Sequence, residues 1–139
     1  MDPITQGALG AALPQSFAPA KKVRSAALVG ALSGMAPDLD ALIRSSTDPL
    51  LFLDYHRQFT HALLFVPVGA LVCCLAFYPF MRSLTFKQTY FFCSLGYLTH
   101  GLLDACTSYG TMLFWPLSET RIAWNNISVI DPLVTIPLI

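Results

Sequence analysis

A run of 20 residues without a charged side chain, Ala62–Met81, constrains the fold of this chain more than any other feature. Its length matches the roughly 20 residues that an α-helix needs to cross the hydrocarbon core of a bilayer. Of the whole chain, 12% is charged, whereas a soluble domain carries about 25% charged residues. Because so little polar surface is available to face water, we expect membrane lipid to surround much of the protein.

Four further apolar segments accompany this run, so the chain is predicted to be an all-α, multi-pass membrane protein. About four to five helices would form one domain, residues 1–139. Small residues such as Gly30 and Gly34 would let the helices approach closely in lipid. The last segment is becoming apolar when the chain stops, so we expect a C-terminally truncated fragment of a longer protein. The four segments are Ile4–Leu13, Val23–Ala36, Gln88–Leu103 and the one that starts at Ile127.

Basic residues predict the direction in which the helices cross. Short loops rich in Lys and Arg stay on the cytoplasmic side, which places Lys21–Arg24 and Arg82–Lys87 there. The run from His61 would then start on the far side, and the run that carries His100 would end there. The candidate site residues would therefore meet at one membrane rim, on the non-cytoplasmic face.

Histidine and aspartate are concentrated where the apolar segments end. His100 and Asp104 are four residues apart, so they share one helix face and could bind one divalent ion. The same spacing suits a His–Asp pair that ties two helices together, and both interpretations stay open. Asp38 and Asp40 follow Pro37, where we expect one carboxylate to be a ligand and the other to support a ligand. A helix cap would explain one of these aspartates but not both.

The stretch His56-Arg57-Gln58-Phe59-Thr60-His61 adds two imidazoles and a guanidinium at the same rim, at the end of a predicted polar loop over Arg44–Phe59. Imidazole and carboxylate ligands suit Zn²⁺, Mn²⁺ or Fe²⁺ better than Ca²⁺. A ligand set without Cys favours a catalytic site over a structural one. Arg57 could grip a phosphate or carboxylate bidentately, although contact with lipid headgroups explains it about equally well.

Taken together, these motifs resemble a known family. The ordered set is Met-Asp-Pro-Ile-Thr-Gln-Gly-Ala-Leu-Gly, Gly-Met-Ala-Pro-Asp-Leu-Asp, His-Arg-Gln-Phe-Thr-His, His-Gly-Leu-Leu-Asp-Ala-Cys-Thr-Ser-Tyr-Gly with Trp-Pro, and Ile-Asp-Pro. In this order, and over the whole chain, it is similar to the bacterial inner-membrane metal-dependent hydrolases, also called the LexA-regulated or LexA-binding membrane hydrolase family.

This resemblance implies a multi-pass helical protein with a distant tie to zinc-dependent phospholipase C and its related nucleases. In one departure from the family, Gln6 stands where many relatives have His, and this poorer ligand weakens the case for a second or third metal ion. Carried over by matching position, the metal ligands would be Asp38, Asp40, His61, His100 and Asp104, with His56 and Arg57 beside them. The catalytic residues predicted for this site are His56, Arg57 and Asp40, with Arg57 holding an anionic group and His56 or an aspartate acting as general base.

The sequence therefore predicts a membrane-bound metal-dependent hydrolase that acts on an amphiphilic phosphoester or lipid-like substrate. Zn²⁺ is the expected cofactor, with Mn²⁺ and Fe²⁺ as alternatives. The same residues could instead form a structural network in a non-catalytic membrane scaffold or stress-response protein. A transporter is disfavoured, because its polar residues should line a path through the midplane. With a formal net charge of zero, the chain is not expected to bind nucleic acid.

Overall fold

The computed structural model describes residues 1–42 and 56–139, and in these residues the regular structure is helical. Two isolated β-bridges are present, Thr107 with Ile127 and Thr111 with Ile122, but the described residues contain no longer strand. The predicted all-α class is thus confirmed. Most of the predicted polar loop, residues 44–55, lies outside the described residues. The helices are α1 (Pro3–Phe17), α2 (Val23–Met35), α3 (Val66–Phe77), α4 (Phe86–Ala105) and α5 (Pro132–Leu138).

Short 3-10 turns extend several of these helices, and two of them carry site residues. Ala36–Leu42 continues α2 as a 3-10 helix. Ala36 keeps helical dihedrals (φ −63°, ψ −36°), so Pro37 changes the hydrogen-bond pattern without ending the helix. Phe59–His61 forms a second such turn ahead of α3. The first turn holds Asp38 and Asp40 and the second holds His61, so both aspartates and this histidine lie on tightly wound backbone.

Within the described residues, one helical stretch is long and apolar enough to cross a membrane. It spans Leu63–Phe80, 18 residues with a mean hydropathy of 2.2, and 22% of it is buried. Val72, Leu75 and Phe80 are 60% to 77% exposed. A large exposed apolar surface of this kind marks a membrane-facing or protein-facing side. The predicted membrane character has this support, while the multi-pass arrangement stays a prediction.

Glycines set the distances between α1, α2 and α4. A Cβ on Gly10 would lie 2.8 Å from the carbonyl oxygen of Gly30, and a Cβ on Gly34 would lie 2.9 Å from that of Gln6. A Cβ on Gly96 would run into the carbonyl oxygen of Gly30. The backbones of these three helices therefore touch, which is the close packing that small residues allow in lipid.

The two predicted basic loops lie together at one end of the bundle. The ammonium group of Lys22 donates a 2.7 Å hydrogen bond to Gln88 Oε1. The hydroxyls of Ser25 and Ser83 are 2.6 Å apart. Because these contacts are at the start of α2 and α4, both helices end at the opposite side of the bundle, as the distribution of basic residues predicts. The side of the membrane on which each end lies stays a prediction.

Replacing Gly96 with Ala should destabilise the protein by about 1–3 kcal/mol, because the added methyl group forces α4 away from the backbone of α2. Thermal unfolding of the detergent-solubilised protein, followed by circular dichroism, measures the loss. Gly7→Ala is the matched control, since its Cβ would lie 3.2 Å from the mobile side-chain sulfur of Met35. Equal stability of the two variants would contradict backbone contact at Gly96.

Candidate metal centre

Four chain segments converge at the end of the bundle opposite the basic loops. Asp38 comes from the 3-10 turn after α2, and His61 from the turn ahead of α3. His100 and Asp104 occupy the last turns of α4. Gln6 arrives from the first turns of α1 and is fully buried. Residues that are far apart in the chain thus form one cluster, because helices that follow one another in the chain run in opposite directions and α2 and α4 therefore end at the same side.

The ligand atoms of Asp38, His61, His100 and Asp104 all lie within 4.8 Å of one another. The Nε2 atoms of His61 and His100 are 2.9 Å apart. Asp38 Oδ1 is 3.6 and 3.4 Å from these nitrogens, and Asp104 Oδ2 is 3.3 and 3.7 Å from them. A tetrahedral zinc site with bonds of about 2.0–2.1 Å has edges of about 3.3–3.4 Å. The cluster therefore has the size of a four-coordinate site.

His100 is held in the orientation that a ligand needs. Its side chain is fully buried, and Nδ1 donates to the carbonyl oxygen of Gly34 at 2.5 Å. Since a carbonyl can only accept, the hydrogen is on Nδ1, and the lone pair on Nε2 faces His61 and Asp38. Such a hydrogen bond on the far nitrogen is usual for metal-binding histidines.

The ring of His61 lies between the two aspartates of the 3-10 turn. Asp38 Oδ1 faces its Nε2 at 3.6 Å, while Asp40 Oδ2 lies 3.4 Å from Nδ1 on the other side. The Thr60 hydroxyl donates to Asp40 Oδ2 at 2.6 Å and accepts from His61 Nδ1 at 2.9 Å. Asp40 thus supports the ring from behind and lies outside the group of four ligand atoms.

The two carboxylate oxygens of Asp104 lie in different surroundings. Oδ1 accepts a 2.9 Å hydrogen bond from the Gln6 amide and also contacts the amino group of Met1. Oδ2 is buried, and no hydrogen-bond donor is aligned with it among residues 1–42 and 56–139. A buried carboxylate oxygen without an aligned donor is costly, even with the Nε of Arg57 at 3.2 Å. A bound cation would relieve this cost, so the residues present fit a divalent ion.

His56 and Arg57 lie beside the cluster and are joined to it through the aspartates. His56 Nδ1 is 2.7 Å from Asp40 Oδ1, and the backbone amide of Arg57 donates to Asp40 Oδ2 at 3.1 Å. Arg57 Nε is 3.2 Å from Asp104 Oδ2. The arginine has a left-handed backbone (φ 62°) and is 6% exposed, so its position is strongly constrained by the surrounding structure.

The electrostatics of the cluster keep the carboxylates ionised and His61 protonated while no ion is bound. Burial by itself would lower the pKa of His61, but contacts with Asp104, Asp38 and Asp40 outweigh it and raise the pKa to about 9. Burial by itself would raise the pKa of Asp38, but its contacts with the imidazoles of His100 and His61 hold it well below its ordinary value. A proton on His61 thus offsets part of the negative charge that a divalent ion would neutralise.

The structure brings together four of the five predicted metal ligands, Asp38, His61, His100 and Asp104, and puts Asp40 behind His61. Gly34 was not assigned from the sequence, yet its carbonyl oxygen is the acceptor for His100. A backbone carbonyl has no sequence signal of its own, because it acquires its role from packing. Tyr109, whose position shortly after Asp104 predicts a supporting role at the site, contacts Arg57 by a cation–π interaction at 4.6 Å.

In residues 1–42 and 56–139, fold and site together define a helical protein with one apolar stretch of membrane length and a His/Asp centre that could hold a divalent cation. The chain matches the YdjM inner membrane protein family over residues 1–139, and it belongs to that family. This confirms the bacterial inner-membrane family, while the hydrolase assignment stays a prediction. Comparison with curated proteins and with solved structures found no match.

Zinc affinity should rise by about tenfold per pH unit between pH 6.5 and 8.5, because binding must displace one proton from His61 below its pKa of about 9. Competition with a chromophoric zinc chelator in detergent measures this slope. Without the ion, the contribution of His61 to stability is fully present below pH 6.5 and is lost as the pH rises through 9. A pH-independent zinc affinity would contradict the protonated state of His61.

Proposed function

We propose that this protein is a membrane-bound, metal-dependent hydrolase that acts on phosphoesters or related lipid-like substrates. The observation that supports it is the group of Asp38, His61, His100 and Asp104, of which the last three are buried and whose spacing fits one small divalent ion. Imidazole and carboxylate ligands favour Zn²⁺, with Mn²⁺ or Fe²⁺ as alternatives. An ion held there would supply Lewis acidity and lower the pKa of a bound water toward neutrality.

Exposure differs among the four ligands, which supports a reactive centre over a closed structural one. The side chains of His61, His100 and Asp104 are fully buried, whereas that of Asp38 is 28% exposed. Catalytic zinc sites keep one position open to water or substrate. The side of Asp38 is therefore where a substrate would enter.

The residues around the ligands have the chemistry that hydrolysis needs. His56 would act as the general base, with Asp40 holding its ring through the 2.7 Å contact at Nδ1. Arg57 would bind an anionic group of the substrate, since its guanidinium lies beside Asp104 and matches phosphate geometry. Asp40 has a positioning role for both histidines, because it contacts His56 and His61.

An amphiphilic substrate follows from the position of the site relative to the apolar span. His61 is two residues ahead of Leu63, where the membrane-length stretch begins. A lipid whose headgroup lies at that level would present its polar part to the centre. We further propose a multi-pass arrangement in the inner membrane, with the centre on the non-cytoplasmic face, because the basic loops lie at the other end of the bundle.

One observation supports a second function, that of a non-catalytic membrane scaffold. Even without an ion, the hydrogen bond from His100 to Gly34 joins α4 to α2, and the contact between the two Nε2 atoms joins α4 to His61. Such a network could hold the bundle together and do nothing else. Metal content and turnover separate the two functions.

Protein purified from its native membrane should contain about one divalent ion per chain and should hydrolyse a generic phosphoester in a metal-dependent manner. His100→Ala and Asp104→Asn should each lose the ion and at least about a hundredfold of the turnover, since the first removes a neutral ligand and the second removes the charge of a carboxylate ligand. Elemental analysis and a chromogenic phosphodiester assay measure both quantities.

Asp131→Asn is the matched control for these variants. Asp131 caps α5 through Leu133 and contributes no ligand atom to the cluster. Asparagine caps a helix about as well as aspartate, so this variant should keep both ion and turnover. Wild-type protein that folds, binds no divalent ion and is destabilised by His100→Ala would instead establish the scaffold.

A further inference from the structure

Two arginines share the ring of Tyr109, next to the metal centre. The guanidinium carbon of Arg57 lies 4.6 Å from the ring centroid, and that of Arg121 lies 5.1 Å from it. Tyr109 itself is 42% exposed, so the group is at the surface of the site. Cation–π contacts fix a guanidinium plane and leave its edge available for an anion.

The backbone around Thr111 is built to keep these two arginines together. Thr111 and Ile122 exchange backbone hydrogen bonds of 3.0 and 2.9 Å, which holds the neighbouring Arg121 in place. The buried Thr111 hydroxyl and the Met112 amide both donate to the carbonyl oxygen of Arg57, at 3.1 and 3.2 Å. Thr111 and Ile122 thus connect the segments that carry Arg57 and Arg121, which are more than fifty positions apart in the chain.

Both guanidinium groups have donors that lack an acceptor. The Nη1 atoms of Arg57 and Arg121 are buried, and neither has a hydrogen-bond partner in the part of the chain that the structure describes. Within the same residues, Arg121 has no carboxylate at ion-pair distance, and Arg57 reaches Asp104 through Nε alone. Buried charged donors without acceptors are costly, so this arrangement is suited to an anion that is not part of the chain.

We propose that Arg57 and Arg121 form a phosphate-binding site beside the metal centre, in which Arg121 determines specificity for a phosphate group. The inference rests on the proposed function, because Arg57 is joined to the metal ligand Asp104. A phosphate has enough oxygens to accept from two guanidinium forks at once, whereas a carboxylate is satisfied by one. The phosphate belongs either to a lipid headgroup or to a water-soluble phosphomonoester.

Inorganic phosphate binding to the zinc-loaded protein in phosphatidylcholine nanodiscs, measured by calorimetry, tests this site. Arg121→Ala should weaken phosphate binding by about ten- to a hundredfold, the effect of losing one charge-assisted contact. Zinc affinity should stay at the wild-type value, because Arg121 contacts no ligand residue. Arg121→Lys should recover part of the loss, since an ammonium keeps the charge but lacks the fork.

Arg82→Ala is the matched control, an exposed arginine at the opposite end of the bundle that should leave phosphate binding unchanged. Unaltered phosphate affinity in Arg121→Ala would overturn the inference, as would wild-type protein that binds zinc but no phosphate. In that second case the proposed hydrolase centre still stands, whereas failure to bind zinc would count against the centre itself.

Nanodiscs that contain phosphatidic acid identify the source of the phosphate. If a lipid headgroup is the natural ligand, phosphatidic acid should compete with inorganic phosphate in wild-type protein and lose most of this effect in Arg121→Ala. Unchanged phosphate affinity in these nanodiscs assigns the site to a water-soluble phosphate. Either result retains the two arginines as the phosphate-binding group.

Discussion

The structure depends on one imidazole, that of His61, which two carboxylates hold from opposite sides. Asp38 faces its Nε2 and Asp40 faces its Nδ1. Buried carboxylates repel one another and lose the solvation of water, so this group is stable only with positive charge inside it. Without an ion, the proton on His61 supplies part of that charge. A dication would supply more of it, so the same side chains could hold a metal ion.

The glycines that allow the helices to pack closely also determine the geometry of the site. Gly34 has no Cβ because α1 passes over it, and its carbonyl accepts the hydrogen bond that orients His100. On the other side of α4, a Cβ on Gly101 would run into the carbonyl oxygen of His61. The close approach of the helices therefore determines where both imidazoles lie. In the sequence these glycines indicate only close helix packing in lipid, but in the structure they also position the two imidazoles.

Much of the site could be predicted from the sequence because helical periodicity is local. The spacing of His100 and Asp104 indicates a shared face in any α-helix, and the aspartates after Pro37 indicate a polar turn. The roles of these two aspartates could not be separated, since a 3-10 turn orients its side chains differently from either an α-helix or a strand. The structure puts Asp38 within the group of ligand atoms and Asp40 behind it.

The contact between Tyr109 and Arg121 shows a second kind of feature that sequence patterns cannot predict. These residues lie in a stretch with no helical or strand period, held by two isolated bridges rather than by regular structure. Contacts of this kind depend on tertiary folding, so no local sequence pattern predicts them. Arg57 could be predicted as a site residue because it stands between two histidines, whereas Arg121 could not, because nothing near it in the sequence suggests a site.

One neutral side chain, that of Gln6, limits the number of ions that the candidate metal centre could hold. Its amide nitrogen occupies Asp104 Oδ1, so that carboxylate has one oxygen left for an ion. Its own Oε1 is buried without a partner among the described residues. An imidazole at this position could offer a lone pair to a further ion. The Gln6 amide instead donates a hydrogen bond, and because it is neutral it leaves the negative charge of Asp104 unchanged. With Oδ1 engaged in this way, the ligand atoms that remain could hold one ion, and Arg57 supplies a further positive charge beside Asp104.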